Sequence, residues 1–421
     1  MRILALALAA LLLSPVHTPV DDVAMIAVDG EGTKYWPRWR GPSGQGLAAG
    51  SGYVDKWSDT ENVKWKTKLE TPGNGSPIVW ANRIFLTSAS ADGARRGIAA
   101  YDRATGRKLW ETYSPAENSE KTNPKNGYAS STATTDGRLV YAFLGPQGVM
   151  AVDFAGKLAW HAPVGTIQGN HGSAGSPLLY KDRVIVYQDQ MMAAEGSFIA
   201  AFDAKTGARR WWKAREEKIG WGTPVAIRAG ARDEIVVSSF RALSAYDPDN
   251  GEVLWKVSHS IPEVIPTPVV GHGLVFASFG KAGPTFAIRP GGSGDVTSTH
   301  VAWQAAKGAP FVPSPLLYGD ELYMINDQAG IATAYAAKSG DVLWQGRLGE
   351  AGPNGFSASP VGVDGKVFFT NDEGETFVLK AGKTFELLHV NRMNEKMLAS
   401  PALVDGTWYF RTHGHLMAVG R

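Results

Sequence analysis

The sequence predicts an all-β chain folded as an eight-bladed β-propeller, and three observations carry that prediction. One short pattern recurs eight times: a small residue, then Ser or Thr, usually Pro, then an apolar run. Its hydroxyl positions are Ser76, Ser131, Ser176, Thr223, Thr267, Ser314, Ser359 and Ser400. Inside several copies a second pattern follows, small–aromatic–Asp–x–x–Thr–Gly with a Trp shortly after it. The repeat length of about 41–55 residues is that of a blade of four short antiparallel strands.

The N-terminus reads as an export signal. Arg2 gives a positive start and Ile3 to Leu13 form an apolar run too short to span a bilayer. Residues 1–27 are assigned to the signal, with cleavage near Val16–Thr18, Ala24 or Ala27. Residues 28–62 form an N-terminal extension. Its Trp36-Pro37-Arg38-Trp39-Arg40-Gly41-Pro42 run resembles no blade and is expected to cap one end of the ring. The propeller occupies 63–421. The chain has no cysteine, so a disulfide and a lipid-modified anchor are both ruled out. A periplasmic or secreted destination without a stable membrane anchor is expected. The charge, 42 Lys+Arg against 40 Asp+Glu, shows no basic stripe and argues against a nucleic-acid partner.

The first blade is the clearest. Strand A is Ser76–Val79, strand B Arg83–Thr87 and strand C Ile98–Tyr101; the turn Asp102–Gly106 leads to strand D, ending at Trp110. The Asp carboxylate caps its own turn and the Gly supplies a left-handed backbone. Trp110, and by analogy Trp212, Trp255 and Trp344, offer apolar plates between blades. Trp65 looks like a strand D without a blade, and the eighth copy ends after three strands. Residues 63–68 are therefore expected to complete the last blade and remove the free edges.

Topology places the B–C hairpins and the D-to-A connections on one face. Their polar and aromatic residues are the candidates for a binding funnel: Tyr128, Asn170, His171, Trp221, Glu263, Phe311, Phe356 and Lys396. His413-Gly414-His415 reads as a hairpin turn rather than a metal site, and no Ser stands in a nucleophile elbow. No catalytic residue and no metal ligand is assigned.

The repeated Ala-Tyr-Asp-x-x-Thr-Gly-x-x-x-Trp pattern resembles the pyrroloquinoline quinone (PQQ) repeat, shared by quinoprotein alcohol dehydrogenases and the outer-membrane assembly lipoprotein BamB. The opening Trp-Pro-x-Trp-Arg-Gly-Pro-x-Gly-x-Gly is similar to exported PQQ-like propellers of planctomycete type. The dehydrogenase branch implies a cofactor stacked on a Trp, and Gly220-Trp221-Gly222-Thr223 matches that segment in part. It also implies adjacent cysteines, which are lacking. Its calcium-ligand stretch reads Val237-Ser238-Ser239-Phe240-Arg241 here, and its catalytic Asp context reads Ile261-Pro262-Glu263-Val264.

These departures favour a non-enzymatic binding or scaffold module, with no cofactor, taking a protein, peptide or small polar ligand at the funnel mouth. One alternative is a PQQ- and Ca²⁺-dependent dehydrogenase oxidising an alcohol or sugar. It would use Trp221 as stacking plate, Glu263 as metal ligand or base, and Lys396 or Arg241 beside the quinone oxygens. A second alternative is a carbohydrate-binding accessory protein whose aromatic rim stacks on a glycan.

Overall fold

Strands buried on both faces and strands buried on one face alternate through the chain, which is how stacked sheets in a ring divide their surface. In the first blade, Ile84-Phe85-Leu86 and Ile98-Ala99-Ala100 are apolar and fully buried between neighbouring sheets. The outer strands, such as Val63–Lys68, instead alternate half-buried and exposed residues. The computed structural model describes residues 23–259, 261–350 and 355–421. The apolar run Ile3 to Leu13, read from the sequence as part of an export signal, lies outside the described residues.

Among the described residues eight antiparallel sheets follow one another as blades. Their innermost A strands begin at Ile78, Thr134, Leu178, Val225, Val269, Leu316, Val361 and Ala402. The eight-bladed propeller and its four-stranded repeat are as the sequence predicts. The fourth blade is extended to six strands by Val23–Met25 on its inner edge and Gly294–Asp295 on its outer edge.

Closure follows the expected route. Val63–Lys68 pairs antiparallel with His415–Val419, with Trp65 opposite Ala418 and Lys68 opposite His415. The first-blade turn is capped as its residues dictate: Asp102 Oδ1 accepts from the Ala104 N–H, the Thr105 N–H and the Thr105 hydroxyl.

The turn glycine has a second task. Gly106, Gly156, Gly207 and Gly251 all have φ between 73° and 87°, and each lies under a Trp of the preceding blade. The indole N–H of that Trp donates to the same turn: Trp65 to Arg103 O, Trp110 to Phe154 O, Trp160 to Ala204 O and Trp211 to Pro248 O, at 2.9–3.1 Å. The structure thereby corrects one assignment. In the third blade the plate is Trp211, four residues after Gly207 as Trp110 is after Gly106, while Trp212 turns to the other side and stacks on Phe198.

The N-terminal segment crosses the face opposite the D-to-A connections and touches blades on several sides. Trp36 exchanges backbone bonds with Val79, Pro37 O accepts from Thr135, Gln45 Oε1 from Val270, and Gly46 O from Gly362. One segment thus staples the first, second, fifth and seventh blades.

Candidate functional site

The repeated hydroxyls form a hydrogen-bonded ring around the axis. In the first seven blades the backbone N–H of this Ser or Thr donates to the side-chain oxygen of its counterpart in the next blade. The bonds run from Ser76 to Thr132, on through Ser176, Thr223, Thr267, Ser314 and Ser359, and end at Ser400, at 2.8–3.2 Å. This corrects the second repeat: Thr132, not Ser131, holds the ring position, followed by Ala133 where other copies have Pro. At the seam between last and first blades Arg411 spans the junction, donating to Gly75 O and Thr87 O.

Above this ring lies a cavity of about 340 Å³. All eight ring hydroxyl residues line it, together with Trp39 of the N-terminal segment. The cavity is a cup whose mouth lies among the D-to-A connections.

Four of the eight sequence candidates meet in this cup: His171, Trp221, Glu263 and Phe311. The Trp221 indole donates to Gly172 O at 2.9 Å, and its ring lies 5.9 Å from that of His171. Glu263 has φ 58°, a left-handed backbone that costs a side-chain-bearing residue about 1–2 kcal/mol. Its carboxylate pairs with Lys281 at 2.8 Å, and that ammonium sits 4.9 Å from the Phe311 ring centre.

The other four candidates lie elsewhere. Phe356 is 2% exposed and packs on Phe377 in the core between blades, so it is not a mouth residue. Tyr128 turns back against Gly93 and under the Arg96 guanidinium. Lys396 is exposed and is tied through its carbonyl to the His413 N–H, while Leu398 of the same connection reaches the cup. Asn170 is exposed and its amide oxygen faces His171 Nδ1 at 2.8 Å.

Sequence reasoning missed Lys125, Asn123, Lys281 and the role of Trp39. Lys125 and Asn123 belong to the long connection after the first blade, residues 114–131, which runs over the mouth. Glu120 anchors it through a buried ion pair with Arg96 at 2.7 Å and by accepting from the Ser173 hydroxyl. Asn126 Nδ2 donates to His171 O at 2.7 Å, and Lys125 reaches Asp372 on the seventh blade at 2.9 Å. Beneath this strap, burial pushes the Asp372 carboxyl up from its usual value, and burial pushes Asp327 up to about 6. The length of the first repeat was the available signal: at 55 residues against 41–47 for the others, it must carry extra chain in one of its connections.

The donors present do not fit a calcium-bound quinone. Among the described residues no group of three His, Cys, Asp or Glu side chains is placed to hold a metal ion. The carboxylate in the cup, Glu263, is taken by Lys281, and no cysteine pair exists to cover a stacked ring.

The family model described as outer membrane protein assembly factor BamB matches residues 44–195 and 194–421. The chain belongs to this family. BamB of Moraxella catarrhalis superposes on this PQQ-repeat propeller with a TM-score of 0.60 at 14% identity, covering 85% of this chain and 96% of that one. The quinohemoprotein alcohol dehydrogenase of Comamonas testosteroni superposes with a TM-score of 0.66 at 14% identity, over 92% of this chain and 81% of that one. In sequence, a quinohemoprotein alcohol dehydrogenase of the same organism is 30% identical over 161 residues, covering 35% of this chain. That match spans 21% of the dehydrogenase's own length. The structural likenesses establish the fold.

Proposed function

We propose that this propeller is an exported, non-catalytic binding module that receives a polar group of a polypeptide partner in its cup. The observation that supports the reading is the convergence of Trp221, His171, Phe311 and the Lys281–Glu263 pair on one cavity. Aromatic plates with a few polar groups at a pocket mouth are the ordinary make-up of a recognition site. Blade contacts fix the walls, so little ordering cost attends binding.

The test is a peptide array probed with the full chain, followed by titration of the best peptide against Trp221→Ala and Phe311→Ala. Loss of a central aromatic contact should weaken binding by about tenfold to a hundredfold. Peptide binding that both variants leave unchanged would move the site elsewhere. Selective binding on a glycan array would favour a carbohydrate instead.

A second reading, a PQQ-dependent dehydrogenase, is favoured by one observation: Trp221, in its partial match to the quinone-stacking segment, does line the cup. The carboxylate and cation arrangement around it argues against this reading.

A further inference from the structure

The two partners of the ion pair in the cup, Glu263 and Lys281, are held very differently. Glu263 has φ 58° on a connection braced by its neighbour: Val264 donates to Ile219 O at 3.3 Å and accepts from the Trp221 N–H at 2.9 Å. Ile219 stands four residues before Thr223, as Glu263 stands four before Thr267, and its φ is also 58°. For a β-branched residue that conformation is a true outlier, and such strain gathers where a site is held in place.

Lys281 is the movable half. It stands in the hairpin loop between Leu274–Ser278 and Thr285–Ile288, flanked by Gly280 at φ 63° and Ala282 at φ 52°. Its side chain is 55% exposed, against 31% for that of Glu263. An exposed ion pair on a flexible four-carbon stem opens at little cost.

With Lys281 turned outward, a carboxylate beside aromatic rings remains. The Lys281 ammonium now sits 4.9 Å from the Phe311 ring centre, and Trp221 and His171 line the same cavity. Aromatic ring faces attract a cation and disfavour an anion. A ligand anion would have to draw Lys281 away from Glu263 and then place its own charge against those rings. Lys125, also in the lining, is turned to Asp372 at 2.9 Å.

We propose that the polar group received by the cup is a basic side chain, Lys or Arg, of the partner polypeptide, and that Lys281 is an internal stand-in which it displaces from Glu263. This rests on the cup being a polypeptide site and specifies the chemistry of its ligand.

The experiment is an array of short capped peptides, identical except for one central Lys, Arg, Gln or Glu, probed with the full chain. The strongest binder and its three counterparts are then titrated against the parent, Lys281→Ala and Glu263→Gln. The Lys or Arg peptide should bind about tenfold more tightly than its Gln and Glu counterparts. Lys281→Ala removes the stand-in and should tighten binding of the basic peptide about twofold to fivefold. Glu263→Gln should abolish the advantage of Lys or Arg over Gln. A preference for Glu, or none among the four, would overturn the proposal while leaving the cup a polypeptide site. So would basic-peptide binding that Lys281→Ala weakens or leaves unchanged. Absence of any peptide binding that depends on Trp221 would remove both readings.

Discussion

The backbone N–H of Thr223 donates to the hydroxyl of Thr267 at 2.8 Å, across the boundary between the fourth and fifth blades. Thr267 passes the same bond on to Ser314 at 2.9 Å. With Thr132 in place of Ser131, the residue that marks a repeat in the sequence is therefore the one that joins its blade to the next, as far as the seam between the last blade and the first. Replacing Thr267 by Val preserves shape but takes the acceptor from the Thr223 N–H at a part-buried position, at a cost of about 1 kcal/mol. Thermal unfolding should show a clear fall in Tm for Thr267→Val and little change for Thr267→Ser. Equal behaviour of the two would deny the bond its structural weight.

The turn glycines carry a second requirement that two of them separate. Gly207 has φ 73° and a Cβ there would stand 2.6 Å from the Trp160 ring, whereas Gly230 has φ 61° and open space around it. Gly230→Ala should cost about 1–2 kcal/mol for the backbone alone. Gly207→Ala adds overpacking of about 1–3 kcal/mol. Denaturant unfolding of both variants measures the difference directly.

The rim ion pair should serve recognition more than stability. Glu263 and Lys281 are partly exposed, and such pairs contribute about 0–1 kcal/mol. Glu263→Gln is expected to leave Tm nearly unchanged while altering the affinity of any ligand held in the cup by at least several fold. Loss of folding in this variant would show the pair to be architectural.

Asp327 gives the structure a pH dependence whose sign is fixed. Burial raises its folded carboxyl from 3.8 to about 6. Between those values the folded chain holds a proton that the unfolded chain releases, so this group's contribution to stability falls as pH rises through the window. Asp327→Asn keeps an oxygen for the Phe311 N–H, bonded at 2.6 Å, and removes the titration. The variant should gain on the order of 2 kcal/mol relative to the parent at pH 7 and little at pH 4. A constant difference across the range would contradict the assignment.

The ring was legible because its constraints are local and repeat: a small residue beside a hydroxyl, an Asp–Gly turn, a Trp. Where two neighbours share a character, repetition alone misplaces the register. Ser131 stands beside Thr132 and Trp212 beside Trp211; in the second case the fixed spacing from the turn glycine identifies the right partner. The site was legible only in part because connections do not repeat. His171, Trp221, Glu263 and Phe311 turn inward while Phe356, from a comparable connection, is drawn into the core by Phe377. Lys125 enters through a strap whose path depends on Arg96 and Asp372, far apart in the sequence.

The most direct measurement is reconstitution of the purified chain with PQQ and Ca²⁺, followed by dye-linked oxidation of alcohols and sugars. A binding cup whose carboxylate is held by a lysine should give no substrate-dependent reduction of the dye. Turnover that depends on PQQ and disappears in Trp221→Ala would contradict it.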